Sequence, residues 1–180
     1  TELKEGWCEF TSDLVKVSVS PDNPYFKTCN ENKMIIGKSN IESPIYDCLV
    51  FCSRDVETVT IPSFIEYICS FAFEHCEKLH KVEIPNDSKL KSIGKNAFAS
   101  TSIEFIKIPS KVTRIESKAF FVCKQLRRVE IPNDSNLQFI GENAFSKSSI
   151  ESIKIPSSVT QIEKCSFSEC MKIESVEILD

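Results

Sequence analysis

Few side chains in this sequence could act as a base or a nucleophile. The chain has two histidines, and one of them, His75, directly precedes Cys76. An imidazole beside a thiol can take up its proton and produce a thiolate nucleophile. Cys76, however, belongs to a regularly spaced set of cysteines, which indicates packing inside a core. We therefore predict no catalytic residues and no enzymatic activity.

Metal binding is the other chemistry that the cysteines could support. Cys48 lies four residues before Cys52, and on a helix the two thiols would share one face. Zinc sites normally need a second pair of ligands at a similar spacing, and no such pair accompanies these cysteines. A partly buried cysteine pair is therefore the favoured interpretation, and we predict neither a metal nor a cofactor. The four glycines are scattered, which excludes a glycine-rich phosphate loop.

The elements that carry these residues repeat every 23 or 24 residues, and two repeat types alternate, so the whole pattern returns after 47 residues. The columns that keep this spacing contain isoleucine, usually before proline (Ile61, Ile84, Ile108, Ile131, Ile155, Ile178), phenylalanine (Phe73, Phe98, Phe120, Phe145, Phe167), cysteine (Cys76, Cys123, Cys170) and glycine (Gly94, Gly141). A period of about 20 to 30 residues is typical of leucine-rich-repeat solenoids, whose units bury their apolar faces by stacking on each other.

Each repeat predicts one short strand of an α/β solenoid. The last two apolar positions of the strand alternate with polar ones, so they point inward. The proline that follows has no N–H and ends strand pairing at the same place in every repeat. Five or more parallel strands are predicted to form one continuous concave sheet. The Ala-Phe segments are too short for full helices and predict single helical or 3₁₀ turns on the convex side.

Residues 1–55 are less regular than residues 56–180, which we predict to be one continuous solenoid. The first segment is interpreted as irregular repeats or a terminal cap. Within it we expect a strand-like segment at Leu14, Val17 and Val19, a strand over 33–37, and a helix that begins at Ser43 and places Ile45, Leu49 and Cys52 on one face. Neither end carries a signal sequence or a capping sequence, so we predict a fragment of a longer protein.

The nine cysteines are predicted to be free thiols. Cys76, Cys123 and Cys170 occupy one position two repeats apart, which separates them by about 9.6 Å for strands spaced ~4.8 Å apart, too far for a disulfide. We expect burial to raise their pKa values. Glycosylation sequences begin at Asn86 and Asn133, and a repeated Asx-type turn explains both without secretion.

Composition limits the partners. The net charge of −4 gives no basic surface for nucleic acid, and no apolar run approaches the roughly 20 residues of a membrane span. We therefore predict a monomer that binds a protein partner, with no nucleic acid and no membrane insertion.

The outward positions of the strands supply the candidate binding site. One column reads Thr60, Glu83, Lys107, Glu130, Lys154, Glu177, and its alternating charges are interpreted as a self-neutralised ladder or, alternatively, as a charged ligand site. The column two residues earlier reads Thr58, Lys81, Phe105, Arg128, Ser152, Ser175. Its aromatic residue is predicted to be exposed between two cations, and the predicted partner-binding site consists of Phe105, Lys81, Arg128, Arg127 and His80. Shielding of the ring by the cations is the alternative.

The motifs Ile-Pro-Ser-x-Val-Thr-x-Ile, Asn-Ala-Phe and Phe-x-x-Cys resemble those of the BspA-like leucine-rich-repeat proteins of mucosal bacteria and single-celled eukaryotic parasites. The similarity covers residues 56–180 closely, and the segment 20–26 (Ser-Pro-Asp-Asn-Pro-Tyr-Phe) is also similar to a family segment. The resemblance implies a right-handed horseshoe, a cell-surface location, and adhesion to host or matrix proteins.

Two functions stay open at this point. The first is a non-enzymatic fragment of a surface adhesin that binds its partner through the concave sheet. The second is a cytoplasmic scaffold that uses the same face, and the reduced thiols and the missing signal sequence favour it.

Overall fold

The computed structural model describes residues 3–180, which form about six turns, or rungs, of a β-solenoid. The strands on one side, here called the front strands, are β4 (Thr58–Thr60), β6 (Lys81–Glu83), β8 (Phe105–Lys107), β10 (Arg128–Glu130), β12 (Ser152–Ile155) and β14 (Ser175–Ile178). The other eight form one back sheet: β1 (Phe26–Cys29), β2 (Met34–Gly37), β3 (Cys48–Cys52), β5 (Tyr67–Ile68), β7 (Ser92–Ile93), β9 (Arg114–Ile115), β11 (Phe139–Ile140) and β13 (Gln161–Ile162).

The front strands confirm the strands predicted from the isoleucine-proline repeat. They pair in parallel, and each alternates an outward residue with an inward one, because successive side chains of a strand point to opposite faces. The prediction of one continuous sheet is wrong in detail, since β4–β6 and β8–β10–β12–β14 are separate sheets. Between them, the N–H of Glu104 donates to the carbonyl of His80 at 3.3 Å.

The phenylalanine column forms the centre of the core. The rings of Phe73, Phe98, Phe120, Phe145 and Phe167 stack with centroid separations of 4.7, 5.4, 5.2 and 5.4 Å and interplanar angles of at most 6°. The first four are fully buried, and Phe167 in the last rung is partly exposed. Each ring therefore stacks on the ring of the next rung, which links neighbouring units through their apolar faces.

The predicted helical or 3₁₀ turns around the Ala-Phe segments are wrong, because residues 3–180 contain no helix. Each rung instead has two consecutive β-turns. In the first rung the carbonyl of Cys69 accepts from the N–H of Ala72, and that of Phe73 from Cys76. The third residue of each turn has a positive φ, 65° at Phe71 and 58° at His75, as in type II turns. The same pairs recur at Asn96 and Ser100, Lys118 and Val122, Asn143 and Lys147, and Cys165 and Glu169.

Hydrogen bonds between rungs explain why these segments are not helical. The N–H groups of Phe71, Phe73 and His75 donate to carbonyls of the next rung at 2.9, 2.7 and 3.0 Å. A helix would need the same N–H groups for its own carbonyls four residues earlier. Alternate amides therefore bond locally and between rungs, and the stacked turns form a third hydrogen-bonded side of the solenoid, which we call the turn wall (residues 69–76 and their equivalents).

The two glycines spaced 47 residues apart lie where backbones approach closely. A Cβ atom on Gly94 would lie 2.7 Å from the backbone N of Ser70, and one on Gly141 would lie 2.5 Å from the backbone N of Ser117. Both contacts are with rigid backbone atoms of the preceding rung. Every second rung in this part of the chain therefore needs a residue without a side chain.

The turns after the prolines are closed by backbone hydrogen bonds, since Ser88 and Ser135 donate their N–H groups to the carbonyls of Pro85 and Pro132 at 3.0 Å. The hydroxyl oxygens of Ser88 and Ser135 accept from the N–H groups two residues later, at 3.2 and 3.1 Å. Both serines are buried, whereas Asn86 and Asn133 are exposed. The predicted Asx-type turn is therefore wrong, since the N–H two residues after each asparagine is bonded to the proline carbonyl and a serine turn follows.

The N-terminal part joins the back sheet through antiparallel strands. The predicted strand over 33–37 is confirmed as β2, which pairs antiparallel with β1 and β3. The predicted helix from Ser43 is wrong, because its apolar positions fall in β3, and a short apolar run does not distinguish a buried strand from a helix. The predicted strand-like segment of Leu14, Val17 and Val19 has no regular structure and packs beside a second apolar cluster, formed by Cys8, Ile35, Phe51 and Phe71.

A buried arginine ties the N-terminal segment to the turn wall. Arg54 is 3% exposed, and its guanidinium donates to the carbonyls of Thr11, Cys8, Phe71 and Ala72 at 2.9 to 3.4 Å. A buried charge is tolerated only when its donors are satisfied. These carbonyls belong to two distant parts of the chain, so the side chain holds them together.

All nine cysteines are free thiols, as predicted. The thiols of Cys123 and Cys170 donate to backbone carbonyls of the preceding rung at 3.1 Å, and each lies next to a hydroxyl, that of Thr101 at 3.4 Å and that of Ser148 at 3.3 Å. Burial raises the pKa of Cys123 to about 11. Thiols and hydroxyls therefore alternate along this column of the core.

Candidate interaction site

The front strands hold a row of outward side chains on a narrow frame. β8 is the central example, because Ile106 is buried while the flanking Phe105 and Lys107 are exposed. The backbone around it is fixed by its pairing with β10 in register over three residues. Outward side chains at this position are thus presented from a hydrogen-bonded strand and not from a flexible loop.

Phe105 is exposed and has a cation above it. Its side chain is 42% exposed, and its partner across the strands is Arg128. The guanidinium carbon of Arg128 lies 5.6 Å from the centre of the ring. A contact of this kind is worth about 0.5–1 kcal/mol at an exposed site. The pair presents an apolar ring edge next to a planar group with several donors.

Lys81 does not complete the predicted sandwich around the ring. Its ammonium lies 2.6 Å from Glu83 Oε1 on the same strand, and β6 is not paired with β8 as β8 is with β10. The hydrogen bond from Lys81 lowers the pKa of Glu83. The cation-π contact to this ring that is found in residues 3–180 therefore comes from Arg128.

His80 and Arg127 flank this row at its outer margin. Both side chains are exposed. Backbone hydrogen bonds link the three rungs here. The N–H of Glu104 donates to the carbonyl of His80, and the N–H of Arg127 donates to the carbonyl of Glu104 at 3.0 Å. The structure thus brings Phe105 and Arg128 together and places Lys81, His80 and Arg127 near them. Their role in binding a partner stays a prediction.

The charged column two residues further along forms separate pairs. Lys107 lies 3.4 Å from Glu130, and Lys154 lies 2.8 Å from Glu177. Glu130 is also 3.3 Å from Arg128. The predicted neutralisation therefore occurs in pairs of neighbouring rungs and not as an unbroken ladder, which leaves Phe105 and Arg128 as the distinctive feature of this face.

The candidate Cys–His nucleophile does not form. The thiol of Cys76 is buried and donates to the carbonyl of Ser53 at 3.6 Å, while the imidazole of His75 lies 3.8 Å from a carboxylate oxygen of Glu77. The expected rise in the pKa of Cys76 is wrong: a hydrogen bond with Cys52 and the charge of Arg54 lower it, and they outweigh burial.

The predicted pair of Cys48 and Cys52 is separated by a β-bulge. The register of β2 against β3 shifts between Ile35 and Ile36, which leaves Val50 without a partner. As a result Leu49 and Cys52 lie in the main core, while Val50 and Phe51 contact the second apolar cluster on the other face. Each cysteine meets a thiol of the next rung instead, Cys69 for Cys48 and Cys76 for Cys52.

A cavity that the sequence did not reveal lies on the outer face of the back sheet. Its volume is about 650 Å³, and its lining includes Trp7, Phe26, Tyr67, Cys48 and Cys69. The N-terminal segment forms one wall. The antiparallel strands β1 and β2 form part of the floor, and nothing in the repeat pattern predicts them.

Two further properties bear on function. In residues 3–180, no group of three or more His, Cys, Asp or Glu side chains is placed to hold a metal ion. The same residues contain no helix of the length and apolarity needed to cross a bilayer.

Solved structures of leucine-rich-repeat proteins are similar in fold. A protein from Eubacterium ventriosum matches with a TM-score of 0.77 and 21% identity, over 97% of this chain and 45% of that one. The pneumococcal vaccine antigen PcpA matches with a TM-score of 0.66 and 24% identity, over 69% of this chain and 31% of that one. A leucine-rich cell surface protein from Faecalibacterium prausnitzii matches with a TM-score of 0.52 and 19% identity, over 88% of this chain and 56% of that one. The chain thus spans between 31% and 56% of the length of these proteins.

The sequence itself matches a family. No curated protein matches it. The family described as BspA type leucine rich repeat region matches with six copies, over residues 19–127 and 44–174. The chain therefore belongs to the family of proteins with BspA-type leucine-rich repeats.

Proposed function

We propose that this chain is a non-enzymatic protein-binding module of a cell-surface protein, and that it adheres to a host or matrix protein through its front strands. Membership of a repeat family whose fold is also found in a cell surface protein supports this proposal. Stacked repeats bury their own apolar faces and leave the outward side of their strands as an extended surface for recognition.

The observation that carries the proposal is the exposed pair of Phe105 and Arg128. Aromatic and arginine side chains supply most binding hot spots, because they bury a large area and form several directed contacts. The charged residues around them are already paired, as Lys154 is with Glu177. A partner that covers this face would therefore gain most from the ring of Phe105, which makes no ion pair, and from the donors of Arg128 that its single 3.3 Å contact with Glu130 leaves available.

The experiment measures binding of the purified chain to immobilised matrix proteins and to cultured epithelial cells. We expect Phe105→Ala to weaken binding by about 2 kcal/mol, or roughly 30-fold, as hot-spot truncations do. Lys154→Ala serves as the matched control on the same face and should change binding little. Urea unfolding of both variants checks that they are folded. Unchanged binding of Phe105→Ala would remove this surface from consideration.

The second candidate function is a cytoplasmic scaffold that uses the same surface. Nine free thiols favour it, since reduced cysteines are typical of proteins inside the cell. Protease treatment of intact cells that express the natural full-length protein separates the two functions. Loss of the protein supports the adhesin, and protection of the protein supports the scaffold.

A further inference from the structure

Cys48 and Cys69 are placed side by side in the cavity behind the back sheet. Both line this space of about 650 Å³. Cys48 pairs with Tyr67 across parallel strands, and Cys69 lies two residues beyond Tyr67, with its N–H donating to the carbonyl of Leu49 at 2.8 Å. Residues two apart on a strand point to the same face. The two thiols are therefore diagonal neighbours that face one cavity from adjacent rungs.

The two thiols differ in acidity. A hydrogen bond with Cys48 lowers the pKa of Cys69 and outweighs burial and the nearby charge of Asp47. The same hydrogen bond, together with burial, raises the pKa of Cys48. A thiolate attacks a disulfide and a thiol does not. Cys69 is also the more exposed of the two, since Cys48 is buried. Cys69 is thus the group that an entering disulfide reaches first, and Cys48 is the group that follows.

We propose that Cys48 and Cys69 form a site of reversible oxidation, at which a low-molecular-weight disulfide that enters the cavity joins the two rungs by a disulfide bond. With glutathione disulfide, the Cys69 thiolate attacks one sulfur and releases one glutathione. Cys48 then loses its proton, attacks the sulfur of Cys69 and releases the second glutathione. Two protein thiols are oxidised, one glutathione disulfide is reduced, and the two thiol protons end on the released glutathiones.

The strand register indicates that this bond is easily reduced. For parallel strands about 4.8 Å apart with a rise of about 3.3 Å per residue, residues offset by two positions lie roughly 8 Å apart at their Cα atoms. Disulfides usually span about 4.4–6.8 Å, and deviations from this geometry make the bond more reducible. The rungs must approach slightly when the bond forms. It therefore has the character of a labile bond and not of a permanent structural one.

The other cysteines provide internal comparisons. Cys52 and Cys76 also meet across adjacent rungs, but both are fully buried in the main core, where a small disulfide has no access. Cys123 has a hydroxyl neighbour in place of a thiol. Cys165 is exposed, so it can take up glutathione from solution as a mixed disulfide. Selectivity among these groups distinguishes the cavity site from general thiol oxidation.

The experiment treats the folded, fully reduced protein with glutathione disulfide and follows the intact mass and the disulfide-linked peptides. We expect a peptide linked through Cys48 and Cys69 as the first intramolecular product, lighter by two hydrogen atoms than its two reduced peptides together, whether or not Cys165 carries glutathione. Mild dithiothreitol should return the reduced mass. Cys48→Ser should abolish the link and leave Cys69 with bound glutathione, whereas the control Cys165→Ser should retain it.

If a variant does not fold, the peptide map of the unmodified protein still shows whether the Cys48–Cys69 disulfide forms. Absence of an intramolecular bond in the folded protein, or a first bond between any other two cysteines, overturns the proposal. Persistence of the link in Cys48→Ser overturns it as well. These outcomes are independent of partner binding, so failure of the adhesion experiment leaves this inference unaffected.

Discussion

Replacement of Phe120 by alanine tests the role of the stacked ring column. Phe120 is fully buried, and its ring stacks on Phe98 at 5.4 Å and on Phe145 at 5.2 Å with nearly parallel planes. Truncation of a buried phenylalanine costs about 3–5 kcal/mol. Because both aromatic contacts of this ring are lost, we expect a value in the upper half of that range, about 4–5 kcal/mol.

Phe167→Ala is the matched control at the end of the same column. Phe167 is partly exposed and stacks on Phe145 alone in this column, at 5.4 Å. Loss of one aromatic pair and of part of the transfer energy predicts a cost of about 2 kcal/mol. Phe105→Ala on the surface should cost less than about 1 kcal/mol.

Urea unfolding followed by circular dichroism gives the free energy of unfolding and its dependence on urea for each variant. The dependence should stay constant if the rungs unfold together, and a decrease would indicate that part of the solenoid unfolds separately. Equal losses for Phe120→Ala and Phe167→Ala would refute the reasoning, because they would show that stacking on both sides contributes nothing beyond that on one side.

Three further outcomes are expected. Gly141→Ala should destabilise the fold by about 1–3 kcal/mol in urea unfolding, since its Cβ would lie 2.5 Å from the backbone N of Ser117, and a tolerated alanine would contradict the close approach. Cys123 should resist thiol reagents in the folded protein at pH 8, because burial raises its pKa to about 11, and should react once urea is added. The hydrogen bond from Lys33 lowers the pKa of Asp55, so this carboxylate stabilises the fold above its unfolded pKa of about 3.9 and loses that effect as pH falls through the lower folded value. The free energy of unfolding should therefore fall less steeply with decreasing pH in Asp55→Asn than in the unmodified protein. An unchanged pH dependence would show that the ion pair with Lys33 does not contribute to stability.

Local signals predicted the front strands, and interactions between rungs decided the rest. A proline after Ile84 or Ile108 acts within its own repeat, so the strand end could be located without knowledge of the neighbours. The N–H of Phe73 donates to a carbonyl 24 residues later, in Ala97. No pattern within a single repeat records that bond, and the turn wall was therefore predicted as helical turns.

The part of the candidate site that depends on strand alternation was predicted from the sequence. Alternation placed Phe105 on the surface and beside Arg128, and both positions agree with the structure. Lys81 was expected over the ring because equivalent positions of successive repeats were assumed to be equally spaced. Its ion pair with Glu83 and the missing pairing between β6 and β8 depend on competition between side chains and on contacts between rungs, which the repeat pattern does not record. The cavity at Cys48 was missed because the N-terminal segment that forms one of its walls does not follow the repeat pattern.

Thiols and hydroxyls alternate between rungs, and glycine occurs in every second rung. Together they determine how many residues such a chain can gain or lose at once during evolution. Duplication or deletion of 47 residues restores the contact of Cys123 with Thr101 and the contact of Gly141 with the backbone of Ser117. Deletion of the single rung that carries Gly94 and Thr101 would remove the hydroxyl neighbour of Cys123 and bring the side chain of Glu116 to a place where the backbone of Ser70 admits none. The heritable module of this solenoid is therefore a pair of unlike rungs, even though the strand pattern repeats at half that length.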